Sequence, residues 1–324
     1  MGRVRRLLPR KARLVRQAPQ RTPLVVAAVL TWNDTEMTSA CLHSVLASDY
    51  SHLKVVLVDN GSTEPCGRRL RERFPSIDLV ELTENRGFTG GANAALERAL
   101  ALGADYVHLI GNDAVLAKDA IGHLVRELEA RPEVGGASPL ILDPGGEMVQ
   151  FYWATIDRDL CHHFHHEFGV RLDSREWPTR ESEFIPFICM MWRASALRQV
   201  GLLDDTLSVC WDDYDYCVRI ADAGYRLLMA TAARAEHRSG GTIGHYSPYT
   251  TYYMFRNRLV CLFRYGRPVG MLRASPKILR SILRQMKLNG RNWARQKALL
   301  LGGLDFIRGV RGVGHPPISR ENKH

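Results

Sequence analysis

Asp212, Asp213 and Asp215 stand within four residues, directly behind Trp211. Carboxylates this close repel one another, so their clustering serves a cation or a proton transfer better than it serves folding. The plain alternative is a helix start, because an Asp side chain accepts a hydrogen bond from the first free backbone N–H groups. Other polar groups end apolar runs: Asn33 and Asp34 after 24–32, Asp59-Asn60-Gly61-Ser62 after 54–58, Asn112 and Asp113 after 106–110. Alone, Asp59-Asn60-Gly61 is also an ordinary strand-ending turn, and Asp113 is also a helix-capping acid. Two further stretches stand out: the glycine-rich run from Glu84 to Asn93, which reads as the entry to a helix, and Glu236-His237-Arg238 with Ser239-Gly240-Gly241, where a histidine taken alone is more often structural.

The elements that must position these groups follow from apolar spacing. Segment 24–32 is nearly unbroken apolar, the pattern of a strand buried on both faces of a parallel sheet. Met37, Cys41, Leu42, Val45 and Leu46 recur at helical spacing after it. Segments 54–58, 77–82 and 106–110 read as further strands, with helices between them and another over 118–130. This alternation predicts an α/β fold with a doubly wound, mostly parallel sheet. Such sheets bind ligands beyond the carboxyl ends of their strands, where Asn33, Asp59 and Asp113 all fall. Downstream, 134–142, 148–156, 184–192 and 225–230 read as strands, and 194–200 and 252–265 as helices. His162, His163, His165 and His166 lack the spacing of a zinc motif and are assigned to a surface or acceptor-side loop.

The chain has 324 residues, 45% of them hydrophobic and 24% charged, a globular composition. Its net charge of +10 is unevenly spread. Residues 1–23 carry eight Lys/Arg and no acid, and residues 264–324 carry fourteen Lys/Arg and two acids, so the body between them is acidic. Basic ends call for an anionic partner, and the acidic body disfavours nucleic acid. Leu279, Ile282, Leu283 and Met286 share one helical face, as do Leu300, Leu304 and Ile307. That pattern suits either a helix lying in a membrane surface or one packed on the protein's own body. The seven Cys form no C-x-x-C pair and read as reduced, buried residues of a cytosolic protein. No signal peptide and no apolar run of about 20 residues is found.

The ordered set VVAAVLTWN, VVLVDNGST, ENRGFTGGANAAL, DYVHLIGNDAV, WDDYDYCVRIADAGY and EHRSGG resembles the family 2 glycosyltransferases of GT-A fold, especially the bacterial rhamnosyl- and galactofuranosyltransferase-like branch. The resemblance covers roughly 24–263. It implies that Thr31 and Asn33 lie along a nucleotide. Asp59 would meet a pyrimidine N3–H, with Asn60, Gly61 and Ser62 beside base and ribose. Arg86, Gly87, Gly90, Gly91 and Asn93 would shape the wall around ribose and diphosphate. Asn112 would also face the nucleotide. Asp113 and His237 would hold a divalent metal, Mg²⁺ or Mn²⁺. Asp213 would be the general base, with Asp212 as its neighbour and rival; Asp215, at the helix start, either caps or braces the helix. Two departures stand out. Gly111 and Ala114 replace polar residues of the metal motif, leaving Asp113 as its one carboxylate, and 187–192 lacks the usual small residues, so the acceptor does not transfer.

The resemblance implies an inverting, metal-dependent transfer of a sugar from a nucleoside diphosphate to a hydroxyl of a glycan or polyprenyl-linked acceptor, in cell-envelope or surface polysaccharide synthesis. Trp153 and Trp211 then either stack on sugars or sit in the core. Arg256 either reaches a phosphate or makes an ordinary salt bridge. The expected organisation is a basic arm (1–23), a GT-A unit (24–263, with a nucleotide half 24–115 and an acceptor half 116–263) and a basic, amphipathic helical tail (264–324). The basic ends place the protein on the cytoplasmic face of the cell membrane, bound to anionic lipid. Two rival readings are a sugar-phosphate nucleotidyltransferase, which normally needs a basic, glycine-rich loop that Thr31-Trp32-Asn33-Asp34 lacks, and a non-catalytic membrane or nucleic-acid adaptor on a decayed enzyme fold.

Overall fold

The computed structural model describes residues 21–173, 175–238, 247–290 and 292–313. Most of the expected basic arm (1–20), the loop residues Ser239, Gly240 and Gly241, and the chain beyond 313 lie outside the described residues. The strands are β1 Val25–Thr31, β2 Leu53–Asp59, β3 Asp78–Glu81, β4 Tyr106–Ile110, β5 Ala114–Leu116, β6 Val134–Leu142, β7 Val149–Phe151, β8 Trp153–Asp157, β9 His162–His166, β10 Arg180–Glu181, β11 Cys189–Arg193 and β12 Arg226–His237. The helices are α1 Thr35–Leu46, α2 Cys66–Arg73, α3 Gly87–Ala101, α4 Ala120–Ala130, α5 Ala194–Val200, α6 Asp212–Asp222, α7 Pro248–Tyr265, α8 Pro268–Asn289 and α9 Trp293–Ile307.

One sheet runs in the order β10-β12-β6-β11-β4-β1-β2-β3. Its β4-β1-β2-β3 half is parallel and β1 is almost wholly buried, as the apolar run at 24–32 demands. The second half is mixed: β11 runs antiparallel to both β4 and β6, whereas β6 and β12 are parallel. The antiparallel β11 matters for the site. It brings its own start beside the end of β4, and the Gly111 N–H donates to the Ile188 carbonyl.

Several expected boundaries shift for physical reasons. The strand expected over 184–192 is confined to Cys189–Arg193, because Pro186 has no N–H for a ladder. Segment 148–156 breaks into β7, on the main sheet, and β8, which turns away to pair with β9. The histidine segment is therefore a strand and not a loop. Its alternation puts His163 against Phe184, ring centroids 4.0 Å apart, on the inner side of the hairpin. All seven Cys are free and six are buried. Among the described residues no helix is long and apolar enough to cross a membrane.

Candidate functional site

The ends of β1 and β2 are tied into one rim. Asp34 caps α1 by accepting from the Met37 N–H, and Asn33 takes a left-handed conformation (φ 53°) that Asn tolerates well. Asn33 donates its N–H to Ser62 Oγ and accepts from the Thr63 N–H. Asp59 is buried, and its two oxygens accept from the N–H groups of Ser62 and Gly67. Each oxygen keeps a second lone pair, so the carboxylate both builds the 59–67 turn and can meet one more donor. Gly61 (φ +70°) is required there, since a Cβ would lie 2.2 Å from the Glu84 carbonyl carbon.

The expected nucleotide wall turns out to be a joint. Asn60 is buried and bonds inward, accepting from the Arg86 N–H and donating to the Gly87 carbonyl. Asn93 bonds the other way, to Leu203 and Asp205. The Thr89 N–H donates to the Ser208 carbonyl. Gly91 lies against Leu30 and Asn60, and Gly90 against Arg86. The start of α3, from its cap Arg86 to Asn93, therefore connects the Asp59 loop to the loop before Asp212. Asn60, Gly90, Gly91 and Asn93 place the wall and do not line it. Thr31 is likewise buried and interior: Asn112 donates to Thr38 Oγ1, which donates to Thr31 Oγ1.

Asp113 and His237 come together across the pairing of β5 with β12. Asp113 Oδ2 lies 3.4 Å from His237 Nε2. Gln150, on β7, sets the histidine's tautomer. Its Nε2 donates to the His237 carbonyl, so its Oε1 faces Nδ1 at 2.8 Å and must accept from it. The Nε2 lone pair then faces a carboxylate oxygen, an arrangement that a cation between them or a proton on the ring makes favourable. The pair fits a divalent ion of intermediate hardness such as Mn²⁺, and Mg²⁺ less well. Among the described residues no group of three or more His, Cys, Asp and Glu side chains could hold a metal. Any ion here needs further oxygen ligands, which the phosphates of a nucleotide supply.

Asp212 and Asp213 open α6 behind an unusual backbone. Ser208, Cys210 and Trp211 all have positive φ (65°, 63° and 67°), a conformation L-residues other than Asn and Asp seldom adopt. Asn257 on α7 holds this loop by donating to the carbonyls of Leu207, Val209 and Cys210. Arg256 beside it donates to those of Thr206, Leu207 and Gly312. Arg256 therefore makes neither the phosphate contact nor the salt bridge expected. It is a fully buried cation satisfied by carbonyls. Asp215 is also buried, bonded to Arg219, Arg264 and Tyr265, and braces α6 against α7.

Burial pushes the Asp213 carboxyl from 3.8 up to about 6, against the bond it accepts from the Tyr214 N–H. Burial, and then the charge of Asp213, raise Asp212 well above the usual carboxylate range. Both carboxyls therefore hold a proton more tightly than an exposed carboxylate does, the condition for a group that takes a proton during reaction. His163 lies near this cluster, its ring centroid 6.0 Å from Trp211, and burial lowers it to about 3. Neither tryptophan offers a free face for a sugar: Trp211 is buried with its N–H on the Met254 carbonyl, and Trp153 is sandwiched between His166 and Arg180. Sequence reasoning missed Gln150, Thr38 and Asn257. Only Asn257 carried a signal, as a polar residue within an apolar helical pattern.

Residues 21–248 match the family model described as glycosyltransferase like family 2. The chain belongs to that family. It is 22% identical over 241 residues to an N-acetylglucosaminyl-diphospho-decaprenol L-rhamnosyltransferase of Mycobacterium tuberculosis, covering 69% of this chain and 78% of the relative. It is 26% identical over 245 residues to the O-antigen biosynthesis protein RfbC of Myxococcus xanthus, covering 70% of this chain but only 18% of that protein. Among solved structures, the Pyrobaculum calidifontis mannosyltransferase PcManGT with GDP-Man and Mn²⁺ superposes with a TM-score of 0.55 at 19% identity, covering 89% of this chain and 88% of that one. The protein is a glycosyltransferase of GT-A fold with a C-terminal helical extension. This sets aside the nucleotidyltransferase.

Proposed function

We propose that this glycosyltransferase inverts its donor's anomeric centre, with Asp213 as general base and Asp113 and His237 as ligands of a divalent cation. The observation that carries the reading is the carboxyl raised to about 6 at the head of α6, on a loop bonded through the start of α3 to the Asp59 rim. A base with that affinity is ionised at neutral pH yet still binds a proton well as an acceptor hydroxyl attacks. Asp212, directly beside it, hydrogen-bonds the same hydroxyl and orients it. Asp59 takes the nucleobase N–H on its remaining lone pairs. Asn33, Gly61 and Ser62 shape the floor beneath the ribose, and Arg86 and Gly87 close the diphosphate side. When bound, Mn²⁺ or Mg²⁺ on Asp113 and His237 neutralises charge on the leaving diphosphate.

The donor sugar is a rhamnosyl or galactofuranosyl unit, and the acceptor a glycan or polyprenyl-linked saccharide of the cell envelope. The relatives' names support the rhamnosyl donor and an envelope saccharide as acceptor, and the basic ends support a place on the cytoplasmic face of the membrane. Residues 24–263 form the transferring unit and 264–324 the tail. The test is a panel of sugar nucleotides with and without Mn²⁺, read by thermal stabilisation and then by product configuration. A metal-dependent shift with one donor class and an inverted product is expected. A retained configuration, or a stabilisation independent of metal and of Asp113→Asn, overturns the reading.

A further inference from the structure

Helices α8 and α9 carry the same apolar ladder. Leu272, Leu279, Leu283 and Met286 on α8 repeat at steps of 7, 4 and 3 residues, as do Trp293, Leu300, Leu304 and Ile307 on α9. Those steps align each set along one helix face. All eight side chains are exposed, with Trp293 at 82%, Ile307 at 78% and Leu272 at 75%. Apolar rows of this length are rarely left in water.

The α9 ladder is held outward by what lies behind it. Ala298, Leu299 and Gly302 on its other face are turned to α7, and a Cβ at Gly302 would stand 2.8 Å from the Tyr252 carbonyl. Tyr252 also donates to Asp305 at 2.7 Å, tying the helices together. The charge around the ladders has one sign. No Asp or Glu occurs between Glu236 and Asp305. Lys277, Arg280, Arg284 and Lys287 are exposed on α8 and, at 100° per residue, flank its ladder on one side. Long basic side chains beside an apolar stripe can reach headgroups while the stripe enters the acyl boundary.

We propose that the α8–α9 face docks in the plane of an anionic lipid bilayer. Charge complementarity selects this occupant: a second copy of the chain meeting it through the same face would set two basic faces against each other. The inference deepens the proposed membrane location by assigning its contact surface. It also gives docking a structural consequence. Helix α7 meets α9 at Tyr252 and Arg256 and, through Arg256 and Asn257, also holds the loop before Asp212. The acidic cluster thereby sits at a fixed position relative to the docked face, suited to an acceptor whose lipid remains in the bilayer.

The test is vesicle flotation of the full chain with phosphatidylcholine alone and with phosphatidylcholine and phosphatidylglycerol at about 7:3. Wild type is expected to float with the anionic vesicles, less so at high salt, and not with the neutral ones. Leu283→Glu combined with Ile307→Glu should lower the floated fraction about tenfold with an unchanged melting temperature. Arg280→Glu with Arg284→Glu should remove the preference for anionic lipid. A fluorescence blue shift on adding anionic vesicles, lost in Trp293→Phe, reports burial of the ladder itself. Wild type that does not float, ladder variants that float as well as wild type, or ladder variants that only convert a dimer to a monomer would each overturn the proposal. Flotation reads neither donor binding nor turnover, so its failure leaves the transferase reading standing.

Discussion

Replacing Asp213 with Asn should make the protein more stable and catalytically dead. Burial raises this carboxyl from 3.8 to about 6. A group whose folded-state affinity for a proton exceeds its unfolded one contributes stability below its unfolded pKa and loses that contribution as pH rises through the folded pKa. At pH 7, the native state thus carries the charge at a cost of about 3 kcal/mol, taking 1.36 kcal/mol per pH unit. Asn is neutral at every pH and can still accept from the Tyr214 N–H. Urea melts at pH 8 should show Asp213→Asn more stable by about 1–3 kcal/mol, the lower figure allowing for relaxation around the new amide. At pH 4 the gap should nearly close, because the wild-type group is then protonated in the native state. Turnover should fall by roughly 10²–10⁴, while donor-induced thermal stabilisation persists. Wild-type kcat/KM should drop about tenfold per unit below pH 6. A variant no more stable than wild type at pH 8 would refute the burial argument, and near-normal turnover would refute the base assignment.

Other perturbations probe the supports of the site. Gln150→Leu removes the partner that fixes the His237 tautomer, and should weaken Mn²⁺ activation about 10–100-fold in a metal titration; an unchanged titration would place His237 outside metal binding. Asn257→Ala takes the side-chain donor away from the Val209 and Cys210 carbonyls of the left-handed loop, while Leu207 keeps Arg256. It should cost about 2–4 kcal/mol in a denaturant melt and lower kcat far more than it raises the donor KM; equal effects on both constants would deny that Asn257 acts through the acidic cluster. Gly87→Ala forces a left-handed alanine (φ +74°) with its Cβ 2.3 Å from Ser208 Oγ. It should destabilise by about 2–4 kcal/mol, partly restored by adding Ser208→Gly; equal melts for the single and double variants would show that the α3–loop contact is slack.

The parallel half of the sheet was legible because its signals are local. An unbroken apolar run at 24–32 has few readings other than a doubly buried strand, and a polar cluster after each run falls at the strand's carboxyl end. The later half was harder to read for an equally physical reason. Its sheet is mixed, and β11 reverses between two parallel neighbours, which a strand's own pattern does not announce. The histidine segment looked like a loop because no apolar alternation marks it. It is a strand because aromatic stacking on Phe184 substitutes for aliphatic burial. Arg256 stood out in sequence and its neighbour Asn257 was missed; the partners of both lie about fifty residues away in a loop without a regular pattern.

Gly111 shows where a motif and a structure part. Read as a sequence, glycine at the first position of the metal motif is a missing ligand. In the structure a Cβ there would stand 2.7 Å from Asp113 Oδ1, so the glycine leaves room for the aspartate in the position that faces His237. Restoring a side chain at 111 would therefore push on the one carboxylate the motif retains. The proposed second ligand, His237, comes from β12 and is held by Gln150 from β7, 87 residues earlier in the chain. No local spacing encodes that pair, because β7 and β12 meet only through the sheet. Gly111→Asp should then weaken Mn²⁺ activation, although it adds a carboxylate of the type a hard cation prefers. Tighter metal binding in that variant would show that Asp113 moves aside freely and that the glycine is a lost ligand after all.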